Sequence, residues 1–385
     1  MRGLMMGNRV GIIGISEAKC QGANRRDSTS DLIFETTSRA LKDAGITQPD
    51  IDTVIMAESD QLDGRLIGAM SMALPAHCYG KDEIRVEDDG ASALALAYMR
   101  CLSGYFDIAV VVGWGMCSQT SLDLLTSFSF DPFFHRPLGL NWITSHAIQA
   151  TSYVNRWGIT AEQAAKVTVK NRANGVKNEN AHLQSPVSLR EVLQSAYVST
   201  PLRKLDLPPY SDGACAIVLA TEEKAEKSGK PVAWISGIGW SNDTYYMGDK
   251  DLSRLSSLTQ AASKAYATAG IRNPLKEIDV AELYDVTSYH ELMEYEALGF
   301  CKEGQGGALI DSSVTSMGGE LPVNPSGGML SSNPYTAVGL FRVAEAALQV
   351  TGQAGGRQVP GAKTALAHGM SGICGQSNCV AILRS

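Results

Sequence analysis

The chain has 385 residues, 44% hydrophobic and 19% charged, with 38 glycines; this excludes a disordered protein, and the length exceeds one ordinary core, so two lobes are expected. A net charge of −7 argues against a nucleic-acid partner, and without an apolar run of about 18 residues no membrane-spanning helix is expected. The eight cysteines are scattered with no Cys-x-x-Cys pair, and the opening stretch Met1–Arg9 lacks the apolar core of a signal peptide, so reduced thiols, no metal site and a cytoplasmic location are expected.

In chain order, Val10–Ile15 reads as a buried strand. Ser30-Asp31 is positioned to cap a helix running to Lys42, with Gly45 as its stop. Asp52–Ala57 reads as a second strand, Ala91–Leu102 as a small-residue helix and Asp107–Gly113 as a third strand. Apolar strands alternating with helices predict a parallel sheet covered on both faces. Cys117–Arg203 is too long for a connector and reads as an inserted subdomain, with aromatic clusters (Phe128, Phe130, Phe133, Phe134, Trp142) and a helix opened by a Thr160/Gln163 capping box. Asp212–Ala220 returns to the sheet, and Thr221–Gly229 links to a second half.

That second half repeats the first. Val232–Ile238 matches the first strand and Leu258–Ala267 the first helix. Asp43-Ala-Gly-Ile46 followed by Ile51-Asp-Thr-Val54 matches Thr268-Ala-Gly-Ile271 followed by Ile278-Asp-Val280. Asn333–Gln349 and Lys363–His368 complete the series, and four elements in one order indicate internal duplication. The expected division is 1–225, including a subdomain at about 117–203, and 226–385. The stretch 278–341 is the most informative. An apolar run, Ile278–Leu283, ends on Tyr284 and Asp285, and a helical pattern follows at Leu292, Tyr295 and Leu298. Gly327 and Gly328 form a loop whose backbone can approach a ligand closely. Asn333-Pro334 then reads as an N-cap with Pro at the first helical position.

Ser211-Asp-Gly-Ala-Cys-Ala216, Leu321-Pro-Val-Asn-Pro-Ser-Gly-Gly328 and the glycine-bearing turn Gly369–Gly375 together resemble the thiolase superfamily, and most of all its sterol-carrier-protein-x type. The resemblance spans essentially the whole chain. It implies duplicated βαβαβ halves in a layered αβαβα core, with an inserted loop subdomain. The departures bear on chemistry. Gly90 stands where the family's nucleophilic cysteine would be, Tyr284 where a histidine precedes Asp285, and Asn333 where its Gly-His-Pro histidine would be; the late cysteine falls at Gly372, two residues before Cys374. Covalent thiolysis needs that nucleophile. Tyr284 and Asn333-Pro-Tyr335 resemble instead the steroid side-chain aldolases of this superfamily. That resemblance implies retro-aldol cleavage of a β-hydroxyacyl-CoA to a ketone and a short acyl-CoA such as propionyl-CoA or acetyl-CoA. It also implies a homodimer assembled with a small OB-fold partner, and CoA present only as part of the substrate, with no tightly bound cofactor.

Retro-aldol chemistry needs a base, an enolate stabiliser and an acid. Tyr284 and Tyr335 are the candidates for proton transfer, provided that their pKa falls or that their proton is passed on promptly. The positive end of a helix at 333–349 would favour a phenolate. Backbone N–H groups near Gly90, Gly372, Gly327 and Gly328, with the Asn333 amide, are candidates for enolate stabilisation. Asp285 either orients a hydroxyl or caps the next helix, and His290 and His368 either relay a proton or are satisfied structural histidines. The neighbours Asp88 and Asp89 point to opposite sides of an extended chain and make a poor acid/base pair. A non-catalytic acyl-CoA-binding subunit and a cysteine-independent acyltransferase are the competing readings.

Overall fold

A computed structural model describes residues 9–64 and 67–385; apart from Arg9, the opening stretch read for a signal peptide lies outside them. Strand β1 (Val10–Glu17) is followed by helix α1 (Thr29–Ala44). The cap of α1 is Ser28, not Ser30: its hydroxyl accepts the Asp31 N–H while Asp31 accepts back from the Ser28 N–H. Gly45, at φ +73°, ends the helix as expected. There follow β2 (Thr53–Ala57), β3 (Asp82–Val86), α2 (Gly90–Leu102) and β4 (Ile108–Met116). The inserted segment carries α3 (Trp142–Trp157), α4 (Ala161–Gly175, with the predicted Thr160/Gln163 capping box) and a short two-stranded ribbon. β5 (Asp212–Thr221) returns to the sheet. The second half contributes β6 (Ala233–Asn242), α5 (Ser256–Ala269), β7 (Val280–Glu282), α6 (Ser288–Ala297), α7 (Val338–Val350), β8 (Thr364–Ser371) and β9 (Ser377–Arg384).

These nine strands form one sheet, β3-β2-β4-β5-β1-β6-β9-β8-β7. It is mixed rather than parallel. β2 runs parallel to β3 and β4, and β7 runs parallel to β8, while every pairing that involves β1, β5, β6 or β9 is antiparallel. Apolar runs report burial on both faces, which either direction of pairing can meet, so strand direction was not readable from them. The duplication is visible in the pairing: β2-β4-β5-β1 and β7-β8-β9-β6 have the same directions in the same order. Asp52 accepts backbone N–H bonds from Asp107 and Ile108 (2.8 and 2.9 Å), and Asp279 does the same from Lys363 and Thr364 (both 2.8 Å).

One core joins α2 and α7 to the inner faces of both half-sheets, through Ile55, Val111 and Ile217 on one side and Ala367, Ala381 and Leu383 on the other. A second core packs α1 on the outer face of the first half, and a third packs α5 and α6 on the outer face of the second. The order is therefore helix, sheet, helix, sheet, helix. All of α7 except Leu348 is buried, so its charged side chains need partners: Arg342 Nη1 lies 2.8 Å from Glu282 Oε2, and Arg357 lies 3.0 Å from Glu345. No helix among the described residues is long and apolar enough to cross a membrane.

Candidate active site

A cavity of about 340 Å³ opens where the inserted segment covers the central helices. Glu58, just past β2, and Asp88 and Asp89, before α2, form one wall. Phe130, Trp142 and His146 come from the insertion, Tyr284 from the end of β7, Asn333 and Tyr335 from the approach to α7, and Ser371 and Gly372 from the turn after β8. Four of the residues singled out from sequence, Tyr284, Asn333, Tyr335 and Gly372, thus line one cavity.

The segment carrying Tyr335 departs from expectation. Helix α7 begins at Val338, after a single 3₁₀ turn over Tyr335–Ala337. Tyr335 has φ +45°, in the left-handed region, which costs an L-residue roughly 1–2 kcal/mol. Asn333 does not cap α7; its Oδ1 accepts the Tyr335 N–H at 3.1 Å and holds that turn, leaving the amide NH₂ as the side chain's remaining donor. The cap of α7 comes from elsewhere: Asp89 Oδ2 accepts the Gly339 N–H at 2.9 Å while Oδ1 accepts the Ala91 N–H at 2.9 Å. One buried carboxylate therefore meets the N-termini of both central helices.

Nor are the tyrosines poised as phenolates. Burial pushes Tyr284 well above the usual phenol range, and Asp89 and Tyr335 push it further. Burial pushes Tyr335 up to about 12. Both hydroxyls keep their protons at neutral pH and can act only as donors, or as groups that accept one proton while releasing another. Burial also raises Asp89 to about 8, against the two backbone N–H bonds that it accepts. Asp88 points the other way, accepting from the hydroxyls of Ser371 and Ser377.

The remaining sequence candidates are not in the cavity lining. Asp285 is fully buried and accepts from Met329 N–H (2.6 Å), Leu330 N–H (3.1 Å) and Asn171 Nδ2 (2.8 Å), fixing the glycine loop. It does not cap α6; Thr287 does. Gly327 and Gly328 have φ of +97° and +64°, and a Cβ would meet Gly175 Cα at 2.6 Å in the first and Asp285 Oδ1 at 2.4 Å in the second. Their close approaches are to the protein itself. At Gly90 a Cβ would lie 2.5 Å from Leu340 Cβ, so the residue in the nucleophile's position is where α2 and α7 touch. His290 lies behind the wall, with Nδ1 3.3 Å from Gln149 Oε1. Cys374 is buried, with its thiol raised by burial to about 11.

Sequence reasoning missed Glu58 and His146, and it named Trp142 only as one of the insertion's aromatic residues. Glu58 follows the wholly buried β2, and counting from the matched Asp52 and Asp279 it corresponds to Asp285, so the repeat itself pointed to it. Burial, then the Asp63 carboxylate, raises Glu58 to about 7, against the Arg85 guanidinium at 3.1 Å. His146 Nδ1 lies 2.7 Å from the Trp142 carbonyl, an obligate acceptor, so Nδ1 carries the proton; burial lowers the ring to about 4. The Trp142 indole N–H donates to the Tyr210 hydroxyl (3.0 Å) and to Asp123 (3.2 Å), pinning the cavity's aromatic wall. Nothing in the local sequence marked His146.

Comparison with known proteins agrees with this architecture. Residues 239–385 match the family model described as Thiolase C-terminal domain-like. The chain is 30% identical over 376 residues to the acetyl-CoA acetyltransferase of Methanothermobacter thermautotrophicus, covering 95% of this chain and 97% of that one. It is 32% identical over 389 residues to human sterol carrier protein 2, covering 94% of this chain and 70% of that protein. The solved structure of an Ltp2-ChsH2(DUF35) aldolase superposes with a TM-score of 0.85 at 24% identity, over 98% of each chain. The chain belongs to the thiolase superfamily, in its sterol-carrier-protein-x-like branch.

Proposed function

We propose that the protein is a thiolase-fold aldolase that cleaves a β-hydroxyacyl-CoA by retro-aldol chemistry. The observation that carries this reading is the pairing of two protonated tyrosines, Tyr284 and Tyr335, in a cavity whose described lining contains no cysteine. One tyrosine accepts the substrate's β-hydroxyl proton as its own passes to the ionised Glu58 carboxylate in the cavity wall. The Cα–Cβ bond then breaks, giving a ketone and an acyl-CoA enolate; the other tyrosine protonates the enolate carbon and takes back the proton held by the carboxyl group, which restores both tyrosines and the carboxylate. The Gly372 N–H and the Asn333 amide are the donors for the enolate oxygen. A steroid side-chain thioester as substrate fits the sterol-carrier-protein-like branch, and a small OB-fold partner fits the likeness to a fold whose solved example carries a DUF35 component. A homodimer fits the edge strand β3 and the exposed Met70 and Leu74. Acyl transfer is the second reading, favoured by the acetyltransferase relatives; it lacks a nucleophile at Gly90.

Tyr284→Phe and Tyr335→Phe test the reading, because each keeps the ring and removes only the hydroxyl. With the partner present, kcat is expected to fall roughly a hundredfold or more in each while KM changes little. Wild-type turnover in both variants would remove the tyrosine mechanism.

A further inference from the structure

Behind the cavity wall, α6 carries Glu294, which has no exposed surface and sits between two buried histidines. Its Oε1 lies 3.1 Å from Nδ1 of His368 on β8 and 3.7 Å from Nε2 of His290, one turn earlier on α6. The surrounding hydrogen bonds fix both tautomers. Asn378 donates its NH₂ to the Gly375 carbonyl (2.9 Å), an obligate acceptor, so its Oδ1 is the atom 2.9 Å from His368 Nε2, and that nitrogen carries the N–H. Gln149 donates its NH₂ to the Cys374 carbonyl (3.3 Å), so its Oε1 is the atom facing His290 Nδ1, which carries the N–H there. The other nitrogen of each neutral ring is then an acceptor, and both acceptors face Glu294. Neither Glu294 oxygen, nor His368 Nδ1, nor His290 Nε2 has a hydrogen-bond donor among the described residues. An ionised Glu294 would set acceptor against acceptor without solvent; one proton at this centre resolves it.

We propose that Glu294 is a carboxylic acid at neutral pH, bonded through its proton to His368 Nδ1, and that it serves as a positioning residue for Tyr284 by passing that proton to His368 when negative charge develops in the cavity. In that step the Glu294 O–H bond breaks and a His368 N–H bond forms. A neutral pair becomes carboxylate and imidazolium, no proton enters or leaves, and the step reverses as products depart. The His368 ring stands 6.3 Å, centroid to centroid, from the Tyr284 ring, so the imidazolium would favour a transient Tyr284 phenolate. This role rests on the reading of Tyr284 as a proton-transfer group; the protonation of Glu294 does not.

The neighbouring charges agree. Burial raises Glu294 well above the usual carboxylate range, with the Glu291 carboxylate adding to it and the Lys170 ammonium opposing. Burial lowers His368 to about 4, and it lowers His290 well below its usual value with help from His146 and His368. Lys170, from α4, is already ion-paired to Glu291 at 2.9 Å, and the Tyr295 hydroxyl also donates to Glu291. Asp285 faces the same polar cluster, and the His146 ring lies 5.6 Å from that of His290.

The experiment has two arms on the full-length protein. Infrared difference spectroscopy at pH 7 is expected to show a protonated-carboxyl carbonyl band in the wild type that shifts in D₂O and is absent from Glu294→Gln. Its absence from the wild type overturns the proposal whether or not the protein is an aldolase. Should the variant not fold, ¹⁵N shifts of the wild-type histidines decide: neutral Nε2–H for His368 and neutral Nδ1–H for His290 are expected, and a charged ring at either site contradicts the proposal. In the kinetic arm, Glu294→Gln keeps an N–H donor for His368 but cannot pass a proton, so kcat is expected to fall about tenfold or more at unchanged KM. An unchanged kcat in the folded variant eliminates the positioning role, and an inactive wild type would count against the aldolase reading alone.

Discussion

The two halves of the chain share a frame and differ at the ends of equivalent elements. In both, an aspartate just before a parallel strand ties the two N–H groups at the start of the neighbouring parallel strand, that of the residue before it and that of its first residue, and a glycine at φ +73° ends the outer helix. At the central helices the likeness stops. α2 begins on its own cap, Asp89, and runs straight from Gly90. α7 is preceded by a left-handed Tyr335 held by Asn333 and borrows its cap from the first half. After the matched strands, β2 gives Glu58 to the cavity, whereas β7 gives Tyr284 to the cavity and Asp285 to the glycine loop. The repeated parts build the scaffold, and the unrepeated turns at its centre build the site.

That division can be broken by substitution. Asp89→Ala strips the cap from both central helices at once, and at about 0.5–2 kcal/mol per cap it is expected to cost about 1–4 kcal/mol in urea unfolding; a loss typical of one surface cap would separate the two helices energetically. Gly90→Cys forces a side chain against Leu340 and is expected to cost about 1–3 kcal/mol without conferring thiolysis; a stable variant that acquires an acyl adduct would show that the missing cysteine alone sets the chemistry. Asp52→Ala and Asp279→Ala each orphan two N–H groups and should cost similar amounts, about 1–3 kcal/mol; strongly unequal losses would mean that the halves are not energetic equivalents. The smallest effect concerns pH. Because burial raises folded Glu58 from 4.5 to about 7, the folded state holds that proton more tightly. Its contribution is therefore fully present below about pH 4.5 and is lost as pH rises through about 7. Glu58→Gln should flatten this decline, read as a urea midpoint that gains on wild type at pH 8 relative to pH 5; parallel profiles would contradict it.

The frame was legible because its signals are local. Apolar runs of strand length, Ala-Gly-Ile at both helix ends and the Thr160 capping box each act within a few residues. Tyr284, Asn333, Tyr335 and Gly372 were legible as departures from a family pattern at positions that the fold brings together. Other features depend on tertiary contacts. The Asn333-Pro334 helix start failed because Gly339 finds Asp89, far away in sequence, and a cap supplied from outside needs no local one. Of the two conditions set for the tyrosines, a lowered pKa is not met, because sequence shows a tyrosine near a helix start but not its burial. Strand β9, which closes the second half, was not anticipated, although Ser377–Arg384 is apolar enough to have been read as one. His146 reaches the cavity only because the inserted segment folds back over the central helices.

Mass spectrometry of a quenched turnover mixture tests the central claim most directly. The chain, with the proposed OB-fold partner, is given a β-hydroxyacyl-CoA, and small molecules and intact chain are read from the same sample. Equal amounts of ketone and shortened acyl-CoA are expected, on a chain of unmodified mass. An acyl adduct on any cysteine, Cys374 included, or transfer of the acyl group to another thiol without carbon–carbon cleavage, would contradict the account.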